Sequence, residues 1–213
     1  MRRATFRDQT VDYAAVGASQ AADLLQYPPE NSIPAVQRWR IGSGEERFRS
    51  ASDTLLSWSV LTGAGLAVTD VRPSAGPSYT GVSFDGEGHP VAPSRHDEDQ
   101  RFTPDGIAYV SAGATAHVHG RARGKKANGD YRVIFVAEEP RRTAYALGTV
   151  DATIVSGEVL FSVDWRDDDE VWFEVRAFDI PVAWSYRAWR GRVRRRRRLL
   201  NTAYLRAISP LFA

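Results

Sequence analysis

The sequence predicts an α+β fold, a curved antiparallel sheet of six or seven strands packed around a long C-terminal helix. Three observations predict it. Apolar residues follow helical spacing in residues 41–60, alternate or run in short stretches between residues 66 and 178, and return to helical spacing from about residue 182 to about residue 208. Clusters of Gly, Pro, Asn and Asp separate the short stretches, which is typical of antiparallel hairpins. A strand-rich middle followed by a long helix allows the sheet to wrap that helix.

The region before the first long helix is expected to form a strand, a short helix and a turn. The stretch TVDYAAVGAS, residues 10–19, has the β-branched and aromatic content of a strand. Residues 20–34 begin with helix-forming residues. Pro28 and Pro29 end that short helix, because proline lacks the amide donor that a helix interior needs.

The clearest helix lies within residues 41–60. Ser43 is expected to be its N-cap, and Glu46 stands three residues further on, as in a capping box. One face of this helix is apolar and is expected to enter the core through Phe48, Ala51, Leu55 and Trp58.

The middle of the chain is expected to form six or seven antiparallel strands from the stretches LAVTDV, SYTGVSF, GIAYVSAGATAHVHGRA, DYRVIFVAEE, TAYALGTVDA, GEVLFSVDWR and EVWFEVRAF. Hairpin turns are expected at residues 127–130, through the Asn128-Gly129 pair, and at residues 166–170. Residues 85–106 are polar and rich in Gly and Pro, which predicts a long mobile loop.

The last predicted helix runs from about residue 182 to about residue 208. Its buried stripe is expected to consist of Trp189, Val193, Leu200, Tyr204 and Ile208. Five consecutive arginines, residues 194–198, turn through about 500° on a helix, so Arg196 or Arg197 must fall on that stripe. A buried arginine needs an acid, a carbonyl or a ligand as its partner, because an unpaired buried charge is too costly.

Composition limits the classes of function. The chain has 213 residues, 43% hydrophobic and 25% charged, which predicts a soluble globular protein with a single domain over residues 1–213. The absence of cysteine excludes disulfides, cysteine-ligated metals and thiol nucleophiles. Neither a signal-peptide core nor an apolar stretch of about 20 residues occurs, so a cytoplasmic protein is expected. Nucleotide-binding loops and hydrolase nucleophile motifs are missing, no cofactor is expected, and an enzyme is not the favoured class.

The order of elements resembles the helix-grip fold of the START and Bet v 1-like proteins. A set of ordered motifs resembles one family of bacterial and plant proteins, domain of unknown function 1990. The motifs are YAAVGAS from Tyr13, RIGSGEERFRSASDTLLSW, YRVIFVAEEPRRTAYALGTVDATIVSGEVLFSV and VRAFDIP. The chain resembles a divergent member, because Leu147 stands where the family has Tyr and Thr153 where it has His. The resemblance therefore implies the fold, and a function that relied on that Tyr and His is not implied here.

Aromatic residues are frequent on the predicted sheet and last helix. In a helix-grip fold, those that point inward can line a pocket for a small apolar molecule or lipid, and the alternative is ordinary core packing. The candidate ligand-binding residues are Tyr145, Thr149, Glu158, Trp172, Arg176, Trp189, Arg196 and Arg197. For Glu158, a structural ion pair with Arg132 or Arg176 is favoured over ligand binding or acid–base chemistry.

The distribution of charge opens a second function. Residues 180–213 contain nine arginines and no acidic residue, although the net charge of the whole chain is only +2. This segment can dock on an anionic membrane or an acidic protein partner, and nucleic acid ranks lower because no docking motif or aromatic platform accompanies it. Alternatively, the arginines pair with the protein's own acids, for example in residues 167–170.

A third function is a metal-assisted enzyme. His117 and His119 fall on the same face of a predicted strand, where two imidazoles can begin a metal site. His89, His96 or the acids at residues 97–99 would have to complete it. A pair of partly exposed polar residues at a strand end is the favoured alternative, since no spacing supports a third ligand.

Overall fold

A computed structural model describes residues 11–73, 83–84, 90–91, 102–103 and 106–209. The loop predicted at residues 85–106 lies largely outside them. In chain order the elements are strand β1 (Ile33–Ser43), helices α1 (Glu45–Leu56) and α2 (Ser59–Thr62), strands β2 (Leu66–Arg72), β3 (Ser83–Phe84), β4 (Pro90–Val91), β5 (Thr115–Ala122), β6 (Lys125–Glu139), β7 (Arg142–Thr149), β8 (Val155–Trp165) and β9 (Glu170–Pro181), and helices α3 (Trp184–Ala188) and α4 (Arg190–Ile208).

Seven strands form one antiparallel sheet in the order β1-β9-β8-β7-β6-β5-β2, and β3 pairs separately with β4. Helix α4 contacts β1 and β9 near one edge of the sheet and also β5 and β6 near the other. One straight helix meets both sides because the sheet curves around it. The predicted α+β class and helix-grip arrangement are therefore confirmed.

The concave face of the sheet, which is turned toward α4, carries the main core. Alternate residues of β9, from Val171 to Ala177, point into it, as side chains on successive strand residues point to opposite faces. Phe161 of β8 contacts Tyr204 of α4 edge-on, with 5.0 Å between ring centroids. Such packing fixes the helix on the sheet and contributes beyond the area it buries.

A strap, residues 11–24, covers part of the convex face. Its Tyr13 and Leu24 pack on Phe178 of β9 in a second apolar cluster. The strand predicted at residues 10–19 is wrong, because residues 11–17 are irregular and residues 18–20 form one turn of 3-10 helix. The strap's polar groups bond to Thr149 and Glu158, as described below, so that it does not extend the sheet.

Strand β1 was not among the predicted strands. Pro34 lies near its start, and proline argues against a strand because it cannot donate to a ladder. β1 tolerates it because it is an edge strand that pairs with β9 alone. The sheet has seven strands, within the expected six or seven, but it includes β1, whereas β3, which lies in the expected stretch SYTGVSF, pairs with β4 outside this sheet.

Helix α1 is confirmed, but its predicted cap is wrong. Ser43 is the last residue of β1 and is paired with Glu170, so its position belongs to the sheet. Gly44 flanks the helix at a φ of 87° and makes no side-chain cap. A glycine at this sharp strand-to-helix bend avoids the strain that a side chain would bring. Phe48, Ala51 and Leu55 are buried, as predicted, and so is Trp58 just beyond the helix.

One predicted turn is wrong and the other is confirmed. Asn128 and Gly129 lie inside β6, paired with His119 and Val118. The chain reverses instead at Arg123 and Gly124, whose φ values of 47° and 76° suit a tight hairpin. The turn predicted at residues 166–170 connects β8 to β9.

The predicted C-terminal helix is interrupted. It divides into α3 and α4 at Trp189, whose backbone leaves the helical region with a φ of −127° and a ψ of 74°. The predicted stripe is confirmed for Val193, Leu200, Tyr204 and Ile208, which are buried. It is wrong for Trp189, which is 62% exposed. The helix breaks at this residue, so Trp189 does not continue the helical spacing of the stripe. None of the helices in the described residues is long and apolar enough to cross a membrane.

Candidate ligand cleft beneath the C-terminal helix

A cavity of about 40 Å³ lies between α4 and the concave face. A space of this size holds a few water molecules and is too small for an acyl chain. Its lining is apolar toward α2, β2 and β5 and polar near the start of β8. The apolar part includes Leu61, Leu66, Val118, Ala127, Leu147 and Leu200, and the polar part includes Tyr131, Thr149, Ser156, Asp179, Arg196 and Arg197.

A second, smaller cavity of about 20 Å³ lies between β6 and the connection from β7 to β8. Tyr131, Thr149, Val155 and Arg196 line both cavities. These four residues therefore form the wall between them. We call the two cavities together the cleft.

Arg197 occupies the buried stripe of α4 and finds an acid there. Its Nε and Nη2 donate to the two carboxylate oxygens of Asp179, at 2.8 Å and 2.5 Å. Burial by itself lowers the pKa of Arg197, but the charge and hydrogen bonds of Asp179 outweigh burial and raise it. Both side chains are almost fully buried, so this bidentate pair stabilises the charges of both.

Asp179 was missed as a candidate residue, although the sequence contains a signal for it. It continues the alternating inward series of β9, two residues after Ala177 and opposite Gly157 of β8. An acid in an inward series needs a cationic partner. The arginine stripe of the last helix supplies one.

Arg196 stands next to Arg197 in the sequence and has a different environment. It is half-buried in the wall of the cleft. Among the described residues, Arg196 forms no hydrogen bond or ion pair. Among the described residues that line the cleft, Arg196 is the cationic side chain that borders both cavities and forms no ion pair with an acid.

Two tyrosines complete the polar part of the cleft. Burial raises the pKa of Tyr131, although the positive charges of Arg196 and Arg197 oppose that effect. Burial likewise raises the pKa of Tyr204 to about 12, against the opposing charge of Arg197. Both phenols therefore keep their protons at neutral pH and can donate hydrogen bonds.

The strap also holds one side of the cleft in place. The hydroxyls of Thr149 and Ser156 both donate to one carboxylate oxygen of Asp12, at 2.5 Å and 2.6 Å. The amide of Ala152 donates to the other oxygen at 2.6 Å. Asp12 thereby fixes the connection between β7 and β8, which forms one side of the cleft.

Glu158 borders the cleft, but its carboxylate belongs to the convex side. It accepts hydrogen bonds from the Tyr13 hydroxyl at 2.7 Å, from the amides of Gly17 and Ser19 at 2.8 Å and 3.1 Å, and from the Ser19 hydroxyl. The expected ion pair with Arg176 is wrong, because neutral donors from the strap already satisfy both oxygens. Glu158 therefore anchors the strap.

Gly148 makes that anchor possible. It lies on β7 opposite Glu158, and a Cβ there would overlap the Tyr13 hydroxyl. The missing side chain leaves the space through which Tyr13 reaches Glu158. The backbone of β7 can be approached this closely because glycine occupies the position.

Four of the eight candidate residues border the cleft, namely Thr149, Glu158, Arg196 and Arg197. Tyr145 is fully buried in the aromatic core against Phe161, outside the cleft. The other three lie elsewhere, two of them on the convex face and Trp189 on the surface of the helix break. Trp172 is covered by the Arg166 guanidinium, 4.3 Å from its ring centroid, and Arg176 donates to the carbonyl of Ala21.

The arginines do not pair with the acidic turn at residues 167–170. Asp167 pairs with Arg141, and Glu170 lies 3.2 Å from Arg40. Asp169 accepts a hydrogen bond from Trp165. The example of residues 167–170 is therefore wrong, because nearer cations and donors hold these acids, whereas Arg197 does pair with an acid of the protein, Asp179.

His117 and His119 do share a face, with 5.5 Å between ring centroids. His117 Nδ1 lies 2.6 Å from Asp130 of β6. Within the described part of the chain, no group of three or more metal-binding side chains occurs. The remaining proposed ligands, His89, His96 and residues 97–99, lie outside that part.

Comparison with known families decides the membership of this chain. The model of domain of unknown function 1990 (DUF1990) matches residues 12–93 and 100–207. The chain belongs to this family. DUF1990 thus includes the strap, the sheet and α4, and the resemblance drawn from the motifs is confirmed.

Solved structures with a similar fold are remote in sequence from this DUF1990 chain. Hypothetical protein jhp0584 from Helicobacter pylori is 10% identical at a TM-score of 0.48, over 89% of this chain and 94% of that one. Major latex-like protein 151 from Panax ginseng is 9% identical at a TM-score of 0.43, over 83% and 94%. The di-domain ARO/CYC BexL is 12% identical at a TM-score of 0.47, over 87% of this chain and 51%, about half, of that one. Among proteins with curated functions, none matches the chain.

Two residues at which the sequence resembles a divergent family member both border the cleft. Leu147 lines the larger cavity and Thr153 the smaller one, and they contribute an apolar and a small polar side chain.

Proposed function

We propose that this protein binds a small molecule with an apolar body and an acidic group in the cleft beneath α4. The observation that carries the proposal is Arg196, a half-buried arginine that borders both cavities and that no acid of the described residues pairs with. A carboxylate or similar anion in the cleft would supply that partner. Charge-assisted hydrogen bonds of this kind are among the stronger ones in proteins.

The rest of the cleft suits the apolar body. Leu61, Leu66 and Leu147 face the larger cavity, and the protonated phenols of Tyr131 and Tyr204 can orient a polar atom beside Arg196. The neighbouring Arg197 is already paired with Asp179 and leaves its partner only at a cost, because Asp179 would remain buried and charged. Arg196 is therefore the residue that recognises the ligand.

The size of the cleft limits the ligand. The cavities of about 40 Å³ and about 20 Å³ are separated by a wall that includes Arg196 and Tyr131. A movement of the long Arg196 side chain toward the anion joins them. A small acid fits cavities of this size better than a lipid does.

The proposal is tested by measuring the thermal unfolding temperature with a panel of small carboxylic acids and their neutral amides. The acids, and not the amides, should raise it, because a ligand that binds the native state alone stabilises it by mass action. Arg196→Met should weaken binding of an active acid by about tenfold or more, the loss expected for one charge-assisted hydrogen bond.

Arg195→Met is the matched control, because Arg195 is the exposed neighbour on the same helix. It should leave binding unchanged. Native mass spectrometry of gently purified protein checks whether an acidic molecule is retained. The proposal fails when amides bind as well as acids, or when Arg195→Met and Arg196→Met weaken binding equally.

A further inference from the structure

Two tryptophans next to the arginine run are exposed. Trp184 of α3 is 80% exposed and Trp189 at the helix break is 62% exposed, with Val182 at 40% just before them. Tryptophan side chains normally bury most of their surface, so two exposed ones so near each other in the sequence are unusual. Neither the core nor the cleft accounts for them.

The exposed tryptophans lie beside unpaired cations. The Arg192 guanidinium stands 4.7 Å from the centroid of the Trp189 ring. Arg194, Arg195 and Arg198 follow on α4 with exposed side chains. Among the described residues, none of these four arginines forms an ion pair. We call Trp184, Trp189, Arg192, Arg194, Arg195 and Arg198 the Trp–Arg surface.

We propose that the Trp–Arg surface docks on an anionic lipid bilayer. Indole rings favour the boundary between headgroups and acyl chains, where their apolar body and polar N–H are both accommodated. Each arginine near an anionic leaflet adds electrostatic attraction. Residues 180–213 contain no acid that would repel the phosphates.

Two features favour a bilayer over an acidic protein. The surface combines exposed indole rings with exposed cationic side chains along α3 and α4, as interfacial helices do. Its two indole rings are also mostly exposed, so both are free to enter a layer of headgroups. A protein partner would need a complementary pocket for each ring, whereas a headgroup layer yields to both.

This inference is independent of the proposed ligand. Consecutive arginines have three separate roles, because Arg195 is exposed on the Trp–Arg surface, Arg196 lines the cleft and Arg197 pairs with Asp179. Loss of bilayer binding therefore leaves the cleft intact. Loss of ligand binding likewise leaves the docking surface intact.

The test is vesicle sedimentation with the full chain. We expect binding to phosphatidylcholine vesicles that contain about one quarter phosphatidylserine, little binding to pure phosphatidylcholine, and release as salt rises from about 50 mM to about 500 mM. Arg195→Glu with Arg198→Glu should weaken binding by about tenfold or more. Trp184→Ser with Trp189→Ser should weaken it several-fold at both salt concentrations, since that contribution is not screened.

Matched controls carry the same changes on other exposed positions. They are Arg72→Glu with Arg121→Glu, and Leu25→Ser with Tyr27→Ser. These variants should bind as the unmodified protein does, and circular dichroism confirms that all variants fold. Absence of binding to anionic vesicles at low salt overturns the proposal, and so do equal losses in the controls. Binding to polyglutamate that ignores the tryptophan changes assigns the surface to an acidic protein and also overturns it.

Discussion

Two buried carboxylates on adjacent strands have opposite kinds of partner. Asp179 of β9 faces α4 and is held by the guanidinium of Arg197. Glu158 of β8 faces the strap and is held by hydroxyl and amide donors without a cation. The comparison shows that the same sheet attaches its helix through an ion pair and its strap through dipoles. Buried carboxylates tolerate both solutions because each satisfies the oxygens.

The largest expected effect tests the ion pair. Arg197→Met should lower the free energy of unfolding by about 3 to 5 kcal/mol, because it leaves Asp179 buried and unpaired. Urea denaturation measures this. Adding Asp179→Ala should restore part of the loss. Arg196→Met is the matched control and should change stability by about 0.5 kcal/mol or less, since Arg196 forms no ion pair or hydrogen bond within the described part of the chain. Equal losses in the two single variants would show that the pair does not hold the helix.

A smaller effect tests the dipole-held carboxylate. Glu158→Gln keeps the shape of the side chain but removes its charge. An NH2 group, which donates hydrogen bonds, then replaces one of the two oxygens that accept them from the strap. The free energy of unfolding should fall by about 2 to 3 kcal/mol, with the strap released more often than the sheet. Hydrogen exchange at residues 11–24 measures the release.

Tyr13→Phe provides the graded comparison for Glu158→Gln. It removes a single donor from the same carboxylate and should cost about 1 kcal/mol. Gly148→Ala should disturb the same contact without touching either partner, because its Cβ would overlap the Tyr13 hydroxyl. If hydrogen exchange at residues 11–24 stayed unchanged in all three variants, Glu158 would not be the anchor of the strap.

The smallest effect at neutral pH concerns two buried tyrosines, Tyr204 at the concave face of the sheet and Tyr13 at the convex face. Burial raises the pKa of Tyr204, to about 12, and raises that of Tyr13 further with the help of the Glu158 charge. Stability from a raised pKa is complete below the ordinary tyrosine value of 10.0 and is lost as pH rises toward the native pKa. Unfolding free energy should therefore be flat up to about pH 10 and then fall.

Tyr204→Phe should flatten this alkaline decline, and tyrosinate absorbance in native and denatured protein should show the delayed titration. Tyr13→Phe should also flatten it, from the convex side. A decline of the same steepness in the single variants and in the unmodified protein would contradict the assignment of these two phenols.

The sequence predicts the fold well where periodicity is unambiguous. Strands β5 to β9 alternate or run apolar, and the buried stripe of α4 from Val193 to Ile208 repeats at helical spacing. The strap and β1 cannot be predicted from periodicity, because their conformations depend on partners about 140 residues away, such as Glu158 for Tyr13. Local propensity contains no information on those partners.

The candidate site is predicted less well than the fold. That Arg196 or Arg197 needs an acid follows from helical geometry, and Asp179 confirms it for Arg197. The spacing of the stripe selects Arg197, which lies four residues after Val193 and three before Leu200, but the break at Trp189 is not visible in the pattern. Trp172 and Arg176 were assigned to a ligand site because the side of the sheet that α4 covers cannot be read from residue types alone.

The pairing of β1 with β9 has a consequence for synthesis on the ribosome. Ile33 meets Asp179, and Tyr13 meets Glu158, so each of these segments waits for a partner that is translated about 145 residues later. Contacts of such long sequence separation form slowly. Until residue 181 has emerged, β1 lacks its pairing partner β9, and a growing chain with an unpaired strand edge is a natural client for chaperones.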